Sequence, residues 1–162
     1  MTDAFFPTRR LLWALRCGLT ALAISISSIA SAENSSDVAV VGDVTIYYAV
    51  LPAEMLRTYP PSSGEARMHG GVPGGRHIHH LQVALFDTRT GARITDASVS
   101  AKITEVGFSG VQRVLDPFQI GDAQTYGGYF EFQKRDFYEI GIRAILPGDG
   151  GVITKTFKYR HQ

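Results

Sequence analysis

Between Val38 and Tyr159 the apolar residues come in short runs and return at every second position, and no stretch sustains a helical repeat. A period of two places successive side chains on opposite faces of an extended chain, so such runs fold as half-buried strands. Val44, Ile46, Tyr48 and Val50 share one face, as do Leu81, Val83 and Leu85 within 77–86. Ala97, Val99, Ala101 and Ile103 do so within 94–106, and Tyr138, Ile140, Ile142 and Ala144 line a later strand. Shorter runs occupy 38–41, 111–115, 129–132 and 152–159, with Asp116-Pro117 breaking one strand and 121–125 forming a loop. Turn formers at Gly42-Asp43, 87–91, 107–110 and 147–151 divide them. With 38–50 taken as one strand interrupted by a turn, about seven strands result, the pattern of an all-β, immunoglobulin-like antiparallel β-sandwich. Asp136-Phe137-Tyr138-Glu139-Ile140 has the spacing of a tyrosine corner at the start of the penultimate strand. Only 53–57, inside a long loop over 52–76, permits a helical turn.

The first 32 residues follow a different grammar. Arg9, Arg10 and Arg16 give a positive start, 18–29 is apolar or small, and Ala30-Ser31-Ala32 is an A-x-A cleavage signature. This predicts a secretory signal peptide over 1–32 and a periplasmic mature chain, with 33–37 as a flexible leader and the sandwich over 38–162. Thr8-Arg9-Arg10-Leu11-Leu12 also permits the twin-arginine route, with ordinary secretion preferred. The apolar run falls short of the ~20 residues of a membrane span, so none is expected after cleavage. Cleavage leaves 13 basic and 14 acidic side chains and no basic stripe, which disfavours a nucleic-acid partner. The only cysteine, Cys17, lies in the signal, so the mature domain has neither disulfide nor thiolate.

Metal chemistry in such a chain falls to imidazole, thioether and oxygen. Of the 5 histidines, His69, His77, His79 and His80 fall within the thirteen positions 68–80, which run from Met68 into the strand at 77–86. On a strand, residues two apart share a face ~6.6 Å apart. His77 and His79 therefore point together at the open rim of the core, and His80 points to the opposite face. Gly70, Gly71, Gly74 and Gly75 tolerate the backbone angles needed to fold Met68 or His69 back onto that pair. The expected ligand set is His77, His79, His69 and Met68, which suits a copper ion, with iron as a second choice. Neutral imidazole is the ligand form, so affinity should fall as pH drops through ~6.5. Met55 offers a further thioether, and His161 reads as a free surface histidine.

Val83-Ala84-Leu85-Phe86-Asp87, Thr90-Gly91, Ala97-Ser98-Val99, Tyr126-Gly127-Gly128-Tyr129 and Asp136-Phe137-Tyr138 together resemble small exported immunoglobulin-like domains of the YtkA and FixH type. Some of those are linked to copper delivery or cytochrome oxidase assembly. A looser similarity is to periplasmic iron-transport accessory proteins, which bind metal through His and Met on such a sandwich. The resemblance implies a metal-handling role. Where relatives carry Leu-Glu-Pro-Met, this chain has Leu115-Asp116-Pro117-Phe118, so that methionine has no counterpart.

Taken together, these features point to an exported, non-catalytic metal-binding protein, acting as carrier, chaperone or accessory to uptake, with another envelope protein or transporter as partner. No serine has a base at triad spacing, and the ligands are too few for a copper enzyme. The alternative is an envelope interaction module without metal, gripping its partner through a sheet edge, the 52–76 loop or an apolar rim around Tyr59, Tyr126 and Phe118.

Overall fold

The alternating runs resolve into eight strands: β1 (Val38–Val41), β2 (Val44–Pro52), β3 (Ile78–Asp87), β4 (Ser98–Glu105), β5 (Val111–Ile120), β6 (Ala123–Glu131), β7 (Phe137–Ile145) and β8 (Val152–Arg160). A single helical turn, α1 (Ala53–Leu56), follows β2. The computed structural model of the protein describes residues 37–60, 70–133 and 136–162. The chain divides into two units after Ala32, and every described residue belongs to the second. The expected signal peptide and residues 33–36 of the leader thus lie outside the described residues, as do Met68 and His69. No described helix is long and apolar enough to cross a membrane.

All ladders are antiparallel, and strand order runs β1-β2-β3-β6-β5-β4-β7-β8. β5 serves two sheets. Its residues 111–115 pair with β4, and 116–120 pair with β6. One layer is β1-β2-β3-β6 with the second half of β5; the other is the first half of β5 with β4-β7-β8. This is the two-layer arrangement of an immunoglobulin-like sandwich. Asp116-Pro117 therefore marks a change of sheet inside one continuous strand, rather than the expected break. The loop expected over 121–125 contracts to a tight turn at Gly121-Asp122, where Gly121 takes a φ of +55°. β6 then starts earlier than its aromatic residues indicate and runs through Gly127-Gly128.

The core lies between the layers. Ile46, Leu81, Val83 and Leu85 of the first meet Val99, Ile140 and Ile142 of the second, all essentially inaccessible to solvent. Each such side chain contributes roughly 1.5–3 kcal/mol by leaving water. Tyr138, second residue of β7, is buried and meets Phe132 edge-on at 5.0 Å. The Tyr126 hydroxyl accepts from Ala97 N–H at 2.9 Å and donates to the Ile94 carbonyl at 3.2 Å, tying the crossing segment before β4 to β6. A second apolar cluster lies on the outer face of the first sheet, where Leu56 and Phe118 pack with Val72 and Tyr129.

Candidate metal centre

The antiparallel registers bring the end of β2, the start of β3, the end of β6, the start of β7 and the end of β8 to one mouth of the sandwich. Pro52 stands opposite His79, His79 opposite Phe130, and Tyr138 opposite Tyr159. His79 has the inward parity of Leu81, Val83 and Leu85, and its side chain is 6% exposed. His161, just beyond β8, continues the inward series Phe157, Tyr159. Its N–H donates to the Asp136 carbonyl at 3.0 Å, prolonging the ladder by one step.

The two imidazoles meet there. Their centroids are 4.6 Å apart and their planes cross at 85°. Phe132 stands beneath both, at 5.3 Å from His79 and 5.4 Å from His161. Two imidazoles on one ion, each nitrogen ~2.0–2.1 Å from it and at roughly right angles, place their ring centres about 4.5–5 Å apart. The observed separation fits that requirement. His79 Nδ1 lies 3.1 Å from the His77 carbonyl oxygen. A carbonyl can only accept, so in the neutral ring Nδ1 carries the proton and Nε2 keeps the lone pair. That is the tautomer of a ligating histidine steadied by a backbone carbonyl.

His77 lies one residue short of the strand expected to carry it. β3 begins at Ile78, and His77 sits in the preceding turn. Its carbonyl receives Phe132 N–H at 2.9 Å as well as the His79 contact. Its ring Nε2 accepts from Arg76 Nε at 2.8 Å. His80 faces away from the mouth, as its parity requires, and is nonetheless 1% exposed. Phe118 and Tyr129 flank it at 5.1 and 5.0 Å. Met55 is 53% exposed on α1. Among the described residues no three His, Cys, Asp or Glu side chains are grouped closely enough to hold an ion by themselves.

A cavity of about 380 Å³, open to solvent, is lined by Asp37, Pro52, His79, Tyr159 and His161 among others. Burial pushes the Tyr48 and Tyr159 phenols above the usual tyrosine range, and the Asp37 carboxylate raises both further. The Tyr48 hydroxyl is buried and makes no well-formed hydrogen bond to any described residue. Sequence reasoning read His161 as a free surface histidine, whereas it is half-buried against His79 and Phe132, and it passed over Asp37. The period-two series Phe157, Tyr159, His161 was the available signal, but its meaning depends on the β7–β8 register. The apolar rim expected around Tyr59, Tyr126 and Phe118 does not form, since Tyr126 and Phe118 are buried and only Tyr59 is exposed.

No family model matches the sequence, and no curated protein matches it. Solved structures do share its fold. A DUF4426 family protein from Pseudomonas aeruginosa superposes with a TM-score of 0.57 at 17% identity, over 76% of this chain and 91% of that one. A copper-bound variant of FetP from uropathogenic Escherichia coli gives 0.58 at 12% identity, over 78% and 95%. The copper-reconstituted P19 protein from Campylobacter jejuni gives 0.59 at 10% identity, over 78% and 93%.

Proposed function

We propose that this chain is an exported, periplasmic metal-binding protein, copper preferred, that carries or hands on its ion without catalysis. The observation that carries the reading is the His79–His161 pair, 4.6 Å apart at an open mouth, with His79 Nδ1 engaged by a backbone carbonyl. Imidazole pairs suit copper, iron, nickel and zinc. Copper is favoured by the copper-bound proteins that share the fold and by the thioether of Met68, close in sequence to the site. The arginine-rich start and the Ala30-Ser31-Ala32 signature support export. His77, His69 and Met68 are the residues proposed to complete the donor set.

The test is titration of the protein, purified from the envelope without affinity resin, with copper and iron salts. The wild type is expected to take up one ion, and His79→Ala or His161→Ala to weaken binding by about a hundredfold. Unchanged affinity in the variant carrying both substitutions would dispose of the site. His77→Ala and Met68→Ala in the same assay sort direct ligands from supporting residues.

A second reading, an interaction module indifferent to metal, draws on Val106, Phe108 and Phe137, which are 64%, 62% and 55% exposed. Val106 N–H reaches the Phe137 carbonyl at 3.4 Å, which holds the β4–β5 turn beside the start of β7, at the mouth end. One envelope protein co-purifying in the presence of chelator, and lost on Phe108→Ser, would favour it.

A further inference from the structure

The cavity at the mouth has one acidic side chain among its described lining residues, Asp37. Asp37 precedes β1, and its carbonyl accepts Tyr48 N–H at 2.9 Å, one step beyond the Val38–Tyr47 pairing. In an antiparallel ladder, residues directly opposite share a face. Asp37 therefore stands on the inward face with Tyr48, at the rim. The basic side chain of the same cavity, Arg160, is turned away, with its guanidinium 5.6 Å from the centre of the Phe137 ring.

The other described side chains that line the cavity are neutral or basic. The Tyr48 and Tyr159 phenols add no negative charge, since a tyrosine hydroxyl, with an ordinary pKa of ~10, is neutral at about pH 7. The two imidazoles are neutral when they ligate. A dication placed between them would keep its full charge unless a carboxylate offset it.

We propose that Asp37 is the charge partner of the His79–His161 pair, and that it fits this mouth to a divalent rather than a monovalent ion. The proposal rests on the reading of that pair as a metal centre. Asp37 is exposed, so its field is partly screened by water and salt. A carboxylate acting through charge attracts a dication twice as strongly as a monocation at the same place. In binding constants, the loss on neutralising it is therefore squared.

The test compares Cu(II) with Ag(I), a redox-inert monocation with similar taste for imidazole, on the wild type and on Asp37→Asn. Asparagine keeps the backbone bond to Tyr48 and nearly the same shape. At low salt the substitution is expected to weaken Ag(I) binding by about threefold and Cu(II) binding by about tenfold. Asp37→Glu should restore both, and higher salt should shrink both losses. Equal losses for the two ions, or none, would overturn the inference while leaving the histidine pair intact. If the wild type binds neither ion, both the inference and the metal-centre reading fail. If both ions bind and His79→Ala changes neither, the site lies elsewhere and the role of Asp37 falls with it.

Discussion

Gly127 gives the sharpest test of how the two neighbouring histidines divide their roles. It lies in β6, opposite Gln82 on β3, and a Cβ built there would come within 2.5 Å of His80 Nε2 and 2.5 Å of Phe118 Cε1. Neither neighbour is the far end of a flexible side chain. His80 is 1% exposed and Phe118 is 9% exposed, so Gly127→Ala forces two packed rings, or the sheet beneath them, to shift. Overpacking of this kind costs about 1–3 kcal/mol. Alanine recovers about 0.5–1 kcal/mol by restricting the unfolded chain. The net loss should be near 1–2 kcal/mol, a fall in Tm of roughly 3–10 °C for a domain of this size. Gly141 of β7 is the control. Its built Cβ finds only ordinary contacts, at 3.7 Å or more, so Gly141→Ala should be neutral or slightly stabilising. Urea and thermal unfolding of the two variants side by side make the measurement. If Gly127→Ala is as stable as Gly141→Ala, His80 is not wedged under Phe118, and its assignment to packing rather than to the mouth is wrong.

His80→Ala should lower stability by about 2–4 kcal/mol in urea unfolding while leaving metal affinity unchanged; His79→Ala should lower metal affinity, with a smaller loss of stability because its ring borders an open cavity. Tyr126→Phe strips a partner from both the Ala97 N–H and the Ile94 carbonyl and should cost about 1–3 kcal/mol, read by the same unfolding assay. Tyr48→Phe removes a buried hydroxyl that has no well-formed bond among the described residues, so it should be neutral or stabilising; a loss beyond about 1 kcal/mol would show that the nearby Asp37 carboxylate accepts its proton. Burial raises the folded-state pKa of Tyr48, Tyr126, Tyr129 and Tyr159 above the unfolded value of 10.0, so the folded chain holds those protons more tightly. The stability this contributes is complete below the unfolded value and is lost as pH rises above it. Phenolate absorbance should therefore lag behind that of the unfolded chain above about pH 10, and unfolding should release the missing signal together.

Much of the sandwich was legible because period-two alternation is enforced by burial on one side. Tyr138, Ile140, Ile142 and Ala144 occupy the face that their spacing predicts. The misreadings fall where tertiary contact overrides local preference. Asp116-Pro117 carries turn chemistry, yet β5 stays extended through it because its two halves pair with different neighbours. Gly127-Gly128 looks like a weak point for a strand, yet small residues are what the close approach of His80, Phe118 and Leu115 demands. The same limit applied to the site. Sequence spacing can pair His77 with His79 because they stand two positions apart, although His77 falls just before the strand. It cannot pair His79 with His161, which are 82 positions apart in the numbering and joined only by the meeting of two sheets.

That meeting also explains why adjacent histidines diverge. Alternation on β3 sends His79 toward the gap between the sheets and His80 to the outer face of the first. Outside, the 52–76 loop supplies Leu56 and Val72 to a small apolar cluster with Phe118 and Tyr129, and rings from that cluster close over His80. Inside, the two sheets end at the mouth, and His79 has no further residue of its own strand above it to complete its burial. The ring of His161 fills that place while leaving the cavity open beside it. One histidine is thus held by packing on every side, and the other keeps a lone pair at an opening. A site for an exchangeable ion needs the second environment, because an ion enclosed like His80 would have no way in or out.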